Sequence, residues 1–179
     1  MSYCHSLEMD NLSAGDVAGI AFLYPSLNQD RPQNPPVNDF YRIISPVTNK
    51  CLGIADASES EGAGVQQQDC IAASTQTFQL TDAGAGSYAL INQNSHRCLD
   101  VPFSSTAENI ALWQYTCNQS DAQRIYLQAS HDGLYRLVFA NSQQCLSLKQ
   151  NGETFDPELV QMKCNPTDSK QDFGFGFPL

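Results

Sequence analysis

Five kinds of position recur along the chain at an interval of 47 residues, and this periodicity restricts the fold more than any other feature of the sequence. The recurring positions are Tyr41, Tyr88 and Tyr135; Cys51, Cys98 and Cys145; Leu52, Leu99 and Leu146; Cys70, Cys117 and Cys164; and Gln76, Gln123 and Gln171, whose last interval is 48. Columns that share one register do not arise by chance. The sequence therefore contains three copies of one unit, at about 39–85, 86–132 and 133–179.

Each copy contains two cysteines that lie 19 positions apart. Threefold repetition favours local pairing, since each unit can then close identically. The predicted disulfides are Cys51 with Cys70, Cys98 with Cys117, and Cys145 with Cys164. A disulfide that closes a loop of this length stabilises a protein by about 3 kcal/mol. Such bridges are typical of extracellular proteins. The alternative is a set of buried free thiols; zinc is not expected, because C-x2-C and H-x3-H spacings are absent.

Each copy also predicts four short strands separated by turns, which makes twelve strands in all. In the second copy the strands fall in the segments 88–92, 97–101, 110–116 and 123–128. No helical periodicity extends over more than one turn in the repeats. Since one such unit cannot bury its apolar face alone, the three copies are expected to close together into an all-β domain.

The charge of the chain excludes several kinds of partner. Nine basic residues stand against 19 acidic ones, for a net charge of −10. Nucleic acids and anionic membrane surfaces would be repelled by this charge. No apolar run is long enough for membrane insertion, and no leader sequence opens the chain, so an export signal is expected upstream or already removed. The many Gln, Asn, Ser and Thr side chains suit neutral, hydroxyl-rich ligands instead.

The repeat resembles the ricin B-type lectin domains, a family of carbohydrate-binding modules. The second copy carries the family's elements as Cys98-Leu-Asp-Val101, Leu112-Trp-Gln-Tyr-Thr-Cys117 and Gln123-Arg-Ile125. The resemblance covers about 140 of the 179 residues. It implies a β-trefoil, here preceded by a short N-terminal helix and a linker. The family's Gln-x-Trp tryptophan is replaced by Phe78, Ile125 and Phe173, which are expected to fill the core.

Sugar recognition in this family combines a carboxylate, which accepts hydroxyl protons, with an aromatic ring, which stacks on the sugar. The resemblance therefore implies a site in the second copy, formed by Asp100, Trp113 and Tyr115 with Gln123 behind them and Asn118 in a neighbouring loop. The first and third copies lack both parts. Their aspartate and aromatic positions hold Gly53 and Gln68, and Ser147 and Met162, respectively. The alternative is that Trp113 or Tyr115 packs in the core and that no copy binds.

Residues 1–26 lie outside the repeat and are similar to the end of metzincin-type zinc metalloprotease catalytic domains. The similarity rests on Met1-Ser-Tyr3, on Leu12-Ser-Ala-Gly-Asp-Val-Ala-Gly-Ile20, a predicted short helix, and on Leu23-Tyr-Pro25. The zinc motif H-E-x-x-H is absent. The predicted organisation is a remnant of a catalytic domain at 1–26, a linker at 27–38 rich in Pro, Asn and Gln, and a trefoil at 39–179. Cys4 is the unpaired cysteine of this scheme.

The sequence thus predicts a secreted, monomeric, non-catalytic glycan-binding module with no cofactor or metal, the C-terminal targeting domain of a metalloprotease. A protein-interaction or protease-inhibitor trefoil is the alternative, because a fold does not determine a function. An exposed apolar loop would favour that alternative, and Phe103, Phe155 and residues 173–177 are its candidates. An enzyme is not expected, since no Ser/His/Asp or Cys/His constellation has a recognisable spacing.

Overall fold

The computed structural model describes residues 34–152 and 154–178, apart from the side chain of Asp156. The predicted catalytic-domain remnant and most of the predicted linker lie outside the described residues. Short strands and single 3-10 turns make up the described part of the chain, which contains no α-helix. This confirms the all-β prediction.

Thirteen strands lie in the described residues. The first repeat contains β1 Phe40–Ile44, β2 Cys51–Ile54, β3 Val65–Gln68 and β4 Phe78–Gly84. The second repeat contains β5 Ser87–Asn92, β6 Cys98–Asp100, β7 Ile110–Ala111, β8 Trp113–Tyr115 and β9 Ile125–Ala129. The third repeat contains β10 Tyr135–Phe139, β11 Cys145–Asn151, β12 Thr154–Met162 and β13 Gly174–Gly176.

Two details of the predicted strands are wrong. The third strand of the second repeat is split, because Leu112 turns its backbone toward the other repeats. Its N–H donates to Leu159 O and its carbonyl accepts from Val65 N, both at 2.9 Å. Gln123 does not begin a strand but ends the 3-10 turn Asp121–Gln123. Its side chain can therefore form hydrogen bonds inside the loop.

The repeats are closed by equivalent strand pairs. In each repeat the recurring tyrosine is the backbone partner of the residue at the Gln-x-Trp tryptophan position, as in Tyr41 with Phe78 and Tyr88 with Ile125. Neighbouring repeats are joined by β4 with β5 and by β9 with β10. The last strand, β13, pairs with β1. This closure leaves few unpaired edges in the sheet.

The core lies on the approximate threefold axis. Phe78, Ile125 and Phe173 are each at most 1% exposed, which confirms that they replace the family's tryptophan as core residues. Phe173 therefore offers no exposed apolar surface, and Phe155 packs against the core as well. The three predicted disulfides are present, and the Cα atoms of each pair lie 5.0 or 5.1 Å apart.

Candidate functional site

One glutamine in each repeat shapes the loop that follows the second cysteine. Gln123 is 2% exposed. Its Oε1 accepts from Asn118 N at 2.8 Å and its Nε2 donates to Thr116 O at 3.0 Å. Gln76 and Gln171 make the same two backbone bonds in their own repeats. The recurring glutamine is therefore a loop clamp, and only its remaining contact differs between repeats.

In the second repeat that remaining contact is to Asp100. Gln123 Nε2 donates to Asp100 Oδ2 at 2.8 Å, and Trp113 Nε1 donates to Asp100 Oδ1 at 2.6 Å. Strand pairing brings these groups together, because Asp100 on β6 is the direct partner of Trp113 on β8. Burial raises the pKa of the Asp100 carboxyl above its ordinary value, although the bonds from Trp113 and Gln123 act in the opposite direction. A carboxylate that is 5% exposed thus sits at the base of the site.

Three aromatic rings cover one side of this carboxylate. The Trp113 ring stacks against Tyr115, with centroids 5.7 Å apart and planes at 21°. The Phe103 ring also contacts Trp113 in an edge-on arrangement, with the ring centroids 5.2 Å apart. Tyr115 is 36% exposed and Phe103 90% exposed, so the rings form an outward platform. The alternative prediction, that Trp113 or Tyr115 belongs to the core, does not hold for Tyr115, while Trp113 is half-buried.

The platform borders a shallow pocket of about 250 Å³. Its walls are Asp100, Phe103, Ser104, Trp113, Tyr115, Asn118 and Ser120. Four of the five predicted site residues line it, and the fifth, Gln123, lies behind Asp100. Asn118 Oδ1 accepts from Ser120 N at 2.9 Å, which holds the amide at the rim. The pocket offers a carboxylate, an amide and aromatic faces within one small volume.

Phe103 is a pocket residue that sequence reasoning did not assign to the site. It lies in the turn Pro102–Ser104, where Phe103 and Ser104 have φ angles of 54° and 51°. The same pair of left-handed φ angles occurs in the first repeat, 53° at Asp56 and 51° at Ala57, so this turn is shared by the first two repeats. The turn directs the Phe103 ring away from the core. The spacing of the repeats carried no signal of this conformation.

A loop of the first repeat supports the pocket from below. Gln114 Nε2 donates to Ser58 O and Ser60 O, both at 2.9 Å, and Ser95 Oγ donates to Gln114 Oε1 at 2.6 Å. The loop passes close to the Trp113 ring, because a Cβ added at Gly62 would lie 3.5 Å from it. Glutamine recurs here every 47 residues, at Gln67, Gln114 and Gln161. This sixth column was a readable signal of contacts between repeats that the sequence analysis missed.

The equivalent position of the first repeat is filled by a glutamine side chain. Gln68 occupies that position: its Nε2 donates to Ile54 O at 3.2 Å and its Oε1 accepts from Gln76 Nε2 at 3.2 Å. A Cβ added at Gly53 would lie 2.5 Å from Gln68 Oε1, so an aspartate could not enter without displacing the glutamine. Gly53 and Gln68 therefore form a complementary pair that fills the space with the protein's own amide.

Within residues 34–152 and 154–178, no three His, Cys, Asp or Glu side chains converge as metal ligands would. Nor does the described part of the chain contain a helix both long and apolar enough to cross a bilayer.

Comparison with known proteins gives a family match over most of the chain. The model of the ricin-type beta-trefoil lectin domain matches residues 39–173. No curated protein sequence matches the chain. Among solved structures, the chain is similar to a designed threefold-symmetric protein called ThreeFoil, with 27% identity, a TM-score of 0.72, and coverage of 76% of this chain and 97% of that chain.

Two natural proteins show the same fold at lower identity. An exo-beta-1,3-galactanase from Clostridium thermocellum is 23% identical with a TM-score of 0.72, over 81% of this chain and 31% of that chain. A Polyporus squamosus lectin, solved with the epitope Neu5Aca2-6Galb1-4GlcNAc, is 16% identical with a TM-score of 0.68, over 79% of this chain and 50% of that chain. The chain thus spans half or less of these two proteins.

Proposed function

Since the chain belongs to the ricin-type β-trefoil lectin domain family, whose fold is a non-catalytic carbohydrate-binding one, we propose that it binds a glycan through the pocket of its second repeat. The observation that carries this proposal is the contact of Asp100 with Trp113 and Gln123 beside an exposed aromatic platform. A carboxylate accepts hydroxyl protons strongly, and aromatic faces cover the apolar C–H surface of a sugar.

The internal hydrogen bonds of Asp100 define its role. One bond from Trp113 and one from Gln123 leave each carboxylate oxygen with further acceptor capacity. These bonds also prevent the carboxylate from rotating, so its remaining lone pairs are held in place before the ligand arrives. Asn118 adds an amide at the rim of the pocket. A single shallow site of this kind corresponds to a Kd between millimolar and high micromolar, or roughly 4 to 6 kcal/mol.

Replacing Asp100 with alanine is expected to abolish detectable binding. Charge-assisted bonds of roughly 1.5 to 3 kcal/mol are lost, which is more than tenfold in affinity. Galactosides are the first probes. One of the two natural proteins named above is a galactanase, and the other was solved with an epitope that contains galactose. A glycan array followed by calorimetric titration of the full chain measures the effect.

Two further variants make this test specific. Tyr115→Ala removes a stacking face without leaving a buried donor unpaired, and it should weaken binding several-fold. Ser147→Ala changes the counterpart of Asp100 in the third repeat and should leave galactoside binding unaltered. Unchanged affinity in both Asp100→Ala and Tyr115→Ala would place the site elsewhere or exclude sugar as the ligand.

Binding should also be lost at mildly acidic pH. The ionised carboxylate is the acceptor, so affinity is constant where Asp100 is ionised and falls by about tenfold per pH unit below its pKa. Because burial raises that pKa, the loss should begin at a higher pH than an exposed aspartate would give. Titrations between neutral pH and about pH 4 measure it. A pH-independent affinity would mean that Asp100 does not contact the ligand.

We also propose that the protein is extracellular and that its trefoil is attached to a metalloprotease. Three disulfides in a lectin domain are typical of extracellular proteins. The similarity of residues 1–26 to a metzincin tail supports a C-terminal targeting module, residues 39–179, joined by a linker to a secreted metalloprotease. The coding sequence upstream of Met1 tests this: a reading frame without an H-E-x-x-H motif would contradict the protease context and leave glycan binding untouched.

A further inference from the structure

The second repeat contains a further cavity, which lies against its disulfide and shares no lining residue with the pocket of Asp100. Its volume is about 330 Å³, which falls within the range of sites for small molecules. Ala83, Ala89, Ile91 and the Cys98–Cys117 bridge give it an apolar floor, and Asp82 and Arg124 add two opposite charges to its wall. The glycan pocket makes no use of this space.

The third repeat shows which side chain occupies the equivalent space. Arg136 stands 47 positions after Ala89, and its guanidinium crosses the groove behind the third disulfide. Its Nη2 donates to Ser130 Oγ at 3.0 Å and to Pro166 O at 2.9 Å. Ser130 and Pro166 are the counterparts of Ala83 and Gln119, which both line the cavity of the second repeat. The cavity is therefore the volume that an arginine fills in one repeat and that Ala89 leaves open in the other.

The charge in this groove is also reversed between the two repeats. In the third repeat Asp172 Oδ1 lies 3.0 Å from Arg136 Nη2 and neutralises it inside the groove. Arg124 stands at the position of Asp172, next to the paired residues Tyr88 and Ile125. The second repeat thus presents a cation beside an open cavity, where the third repeat has a closed ion pair.

Arg124 is only partly neutralised by its neighbours. Its Nη1 lies 3.3 Å from Oδ1 of the exposed Asp121, and exposed pairs of this kind are weak. Its Nε is buried and has no hydrogen-bond partner among the described residues, although buried donors are almost always paired. A carboxylate is the ligand that a guanidinium fork matches best.

The trefoil does not require a cation at this position. Thr77 is the counterpart of Arg124 in the first repeat, and its hydroxyl donates to Ala73 O at 3.1 Å. The arginine of that repeat is Arg42, the counterpart of Ala89, and its Nε donates to Phe177 O at 3.1 Å. The first and third repeats therefore satisfy their groove arginine with groups of the chain itself.

Asp82 supplies the second charge of the cavity. It is exposed, and its Oδ1 accepts from Gly84 N at 2.8 Å, which leaves Oδ2 as an acceptor. Within the described part of the chain, Arg124 pairs with Asp121 and not with Asp82. Two opposite charges that line one small cavity without touching each other match a ligand that carries both charges.

We propose that this cavity binds an aliphatic α-amino acid, a ligand class unrelated to the glycan of the Asp100 pocket. The ligand carboxylate lies on Arg124, its ammonium group lies at Asp82, and its side chain covers the floor of Ala83, Ala89 and Ile91. The zwitterion meets both charges at once, and the apolar floor excludes water from the side chain. This proposal does not depend on whether the protein binds sugar.

The test compares leucine with two analogues that each carry one of its charges, 4-methylpentanoate and 3-methylbutylamine. Protein-observed NMR titration of the full chain measures affinity and identifies the residues that respond. Leucine should bind with a Kd in the millimolar range and shift the signals of Ala83, Ala89 and Ile91. Each analogue should bind about tenfold more weakly, because each loses one charge-assisted contact.

Variants assign the binding to this cavity. Arg124→Gln should weaken leucine binding about tenfold. Lys50→Gln is the matched control, because Lys50 also pairs with one aspartate at 3.3 Å and lies outside the cavity; it should leave the affinity unchanged. The double variant Ala89→Arg with Arg124→Asp installs the ion pair of the third repeat, so it should fill the cavity and abolish binding while thermal unfolding stays cooperative.

Any of three results would overturn the proposal. One is the absence of leucine-induced shifts at the cavity up to about 50 mM, well above a millimolar Kd. Another is an affinity for either analogue equal to that for leucine. The last is an equal effect of Arg124→Gln and Lys50→Gln, which would reduce the contact to nonspecific charge.

Discussion

Replacing Arg136 with methionine is expected to lower the free energy of unfolding by about 3 to 5 kcal/mol, because it leaves the buried carboxylate of Asp172 without its main counterion. Arg136 is 6% exposed and Asp172 is 2% exposed. Their ion pair spans 3.0 Å between Nη2 and Oδ1. The same nitrogen donates to Pro166 O at 2.9 Å, so the guanidinium also holds the loop that follows Cys164. Urea unfolding at neutral pH measures the loss.

A matched control and a double variant define this result. Arg42 occupies the equivalent position of the first repeat and donates to Phe177 O at 3.1 Å, in a partly exposed setting; Arg42→Met should cost less than about 1 kcal/mol. Adding Asp172→Asn to Arg136→Met should recover part of the stability, since no charge then remains buried. A double variant that is no more stable than Arg136→Met would refute the explanation by an unpaired charge.

Phe173→Ala is expected to destabilise the protein by about 3 to 5 kcal/mol, the cost of emptying a fully buried phenylalanine site. Phe173 is 0% exposed and is one of the three residues that meet on the axis of the trefoil. Its backbone is held by two bonds with Tyr135, at 2.8 and 2.9 Å, so the site cannot collapse easily around the cavity. Thermal and urea unfolding both report the change.

The matched control lies four residues away in the same tail. Phe177 is 69% exposed, so Phe177→Ala should change stability by less than about 1 kcal/mol. Ile125→Val provides a milder probe of the same core, with an expected loss of about 0.5 to 1.5 kcal/mol. Similar losses for Phe173→Ala and Phe177→Ala would show that the axis residues do not form the central core.

Only part of the second-repeat pocket could be predicted from the strand pattern of the sequence. Side-chain alternation predicts that Trp113 and Tyr115 share a face of their strand, but the register that pairs Asp100 with Trp113 and Cys98 with Tyr115 comes from the structure. The resemblance to the lectin family named the roles. The resemblance anticipated Gln123 behind the carboxylate, but it did not indicate that Trp113 donates to Asp100 Oδ1, because hydrogen bonds depend on rotamers and not on spacing.

The sequence by itself determined the threefold repeat and the local disulfides, and its resemblance to the lectin family identified the three core residues on the axis. All of these depend on periodic patterns that each unit carries within its own chain segment. Only the tertiary structure decided that Gln68 fills the first repeat's site, that Phe103 stands exposed beside Trp113, and that Ala89 and Arg124 border an open cavity. These features depend on the volume each side chain leaves to its neighbours and on contacts between segments distant in sequence, which periodicity does not encode.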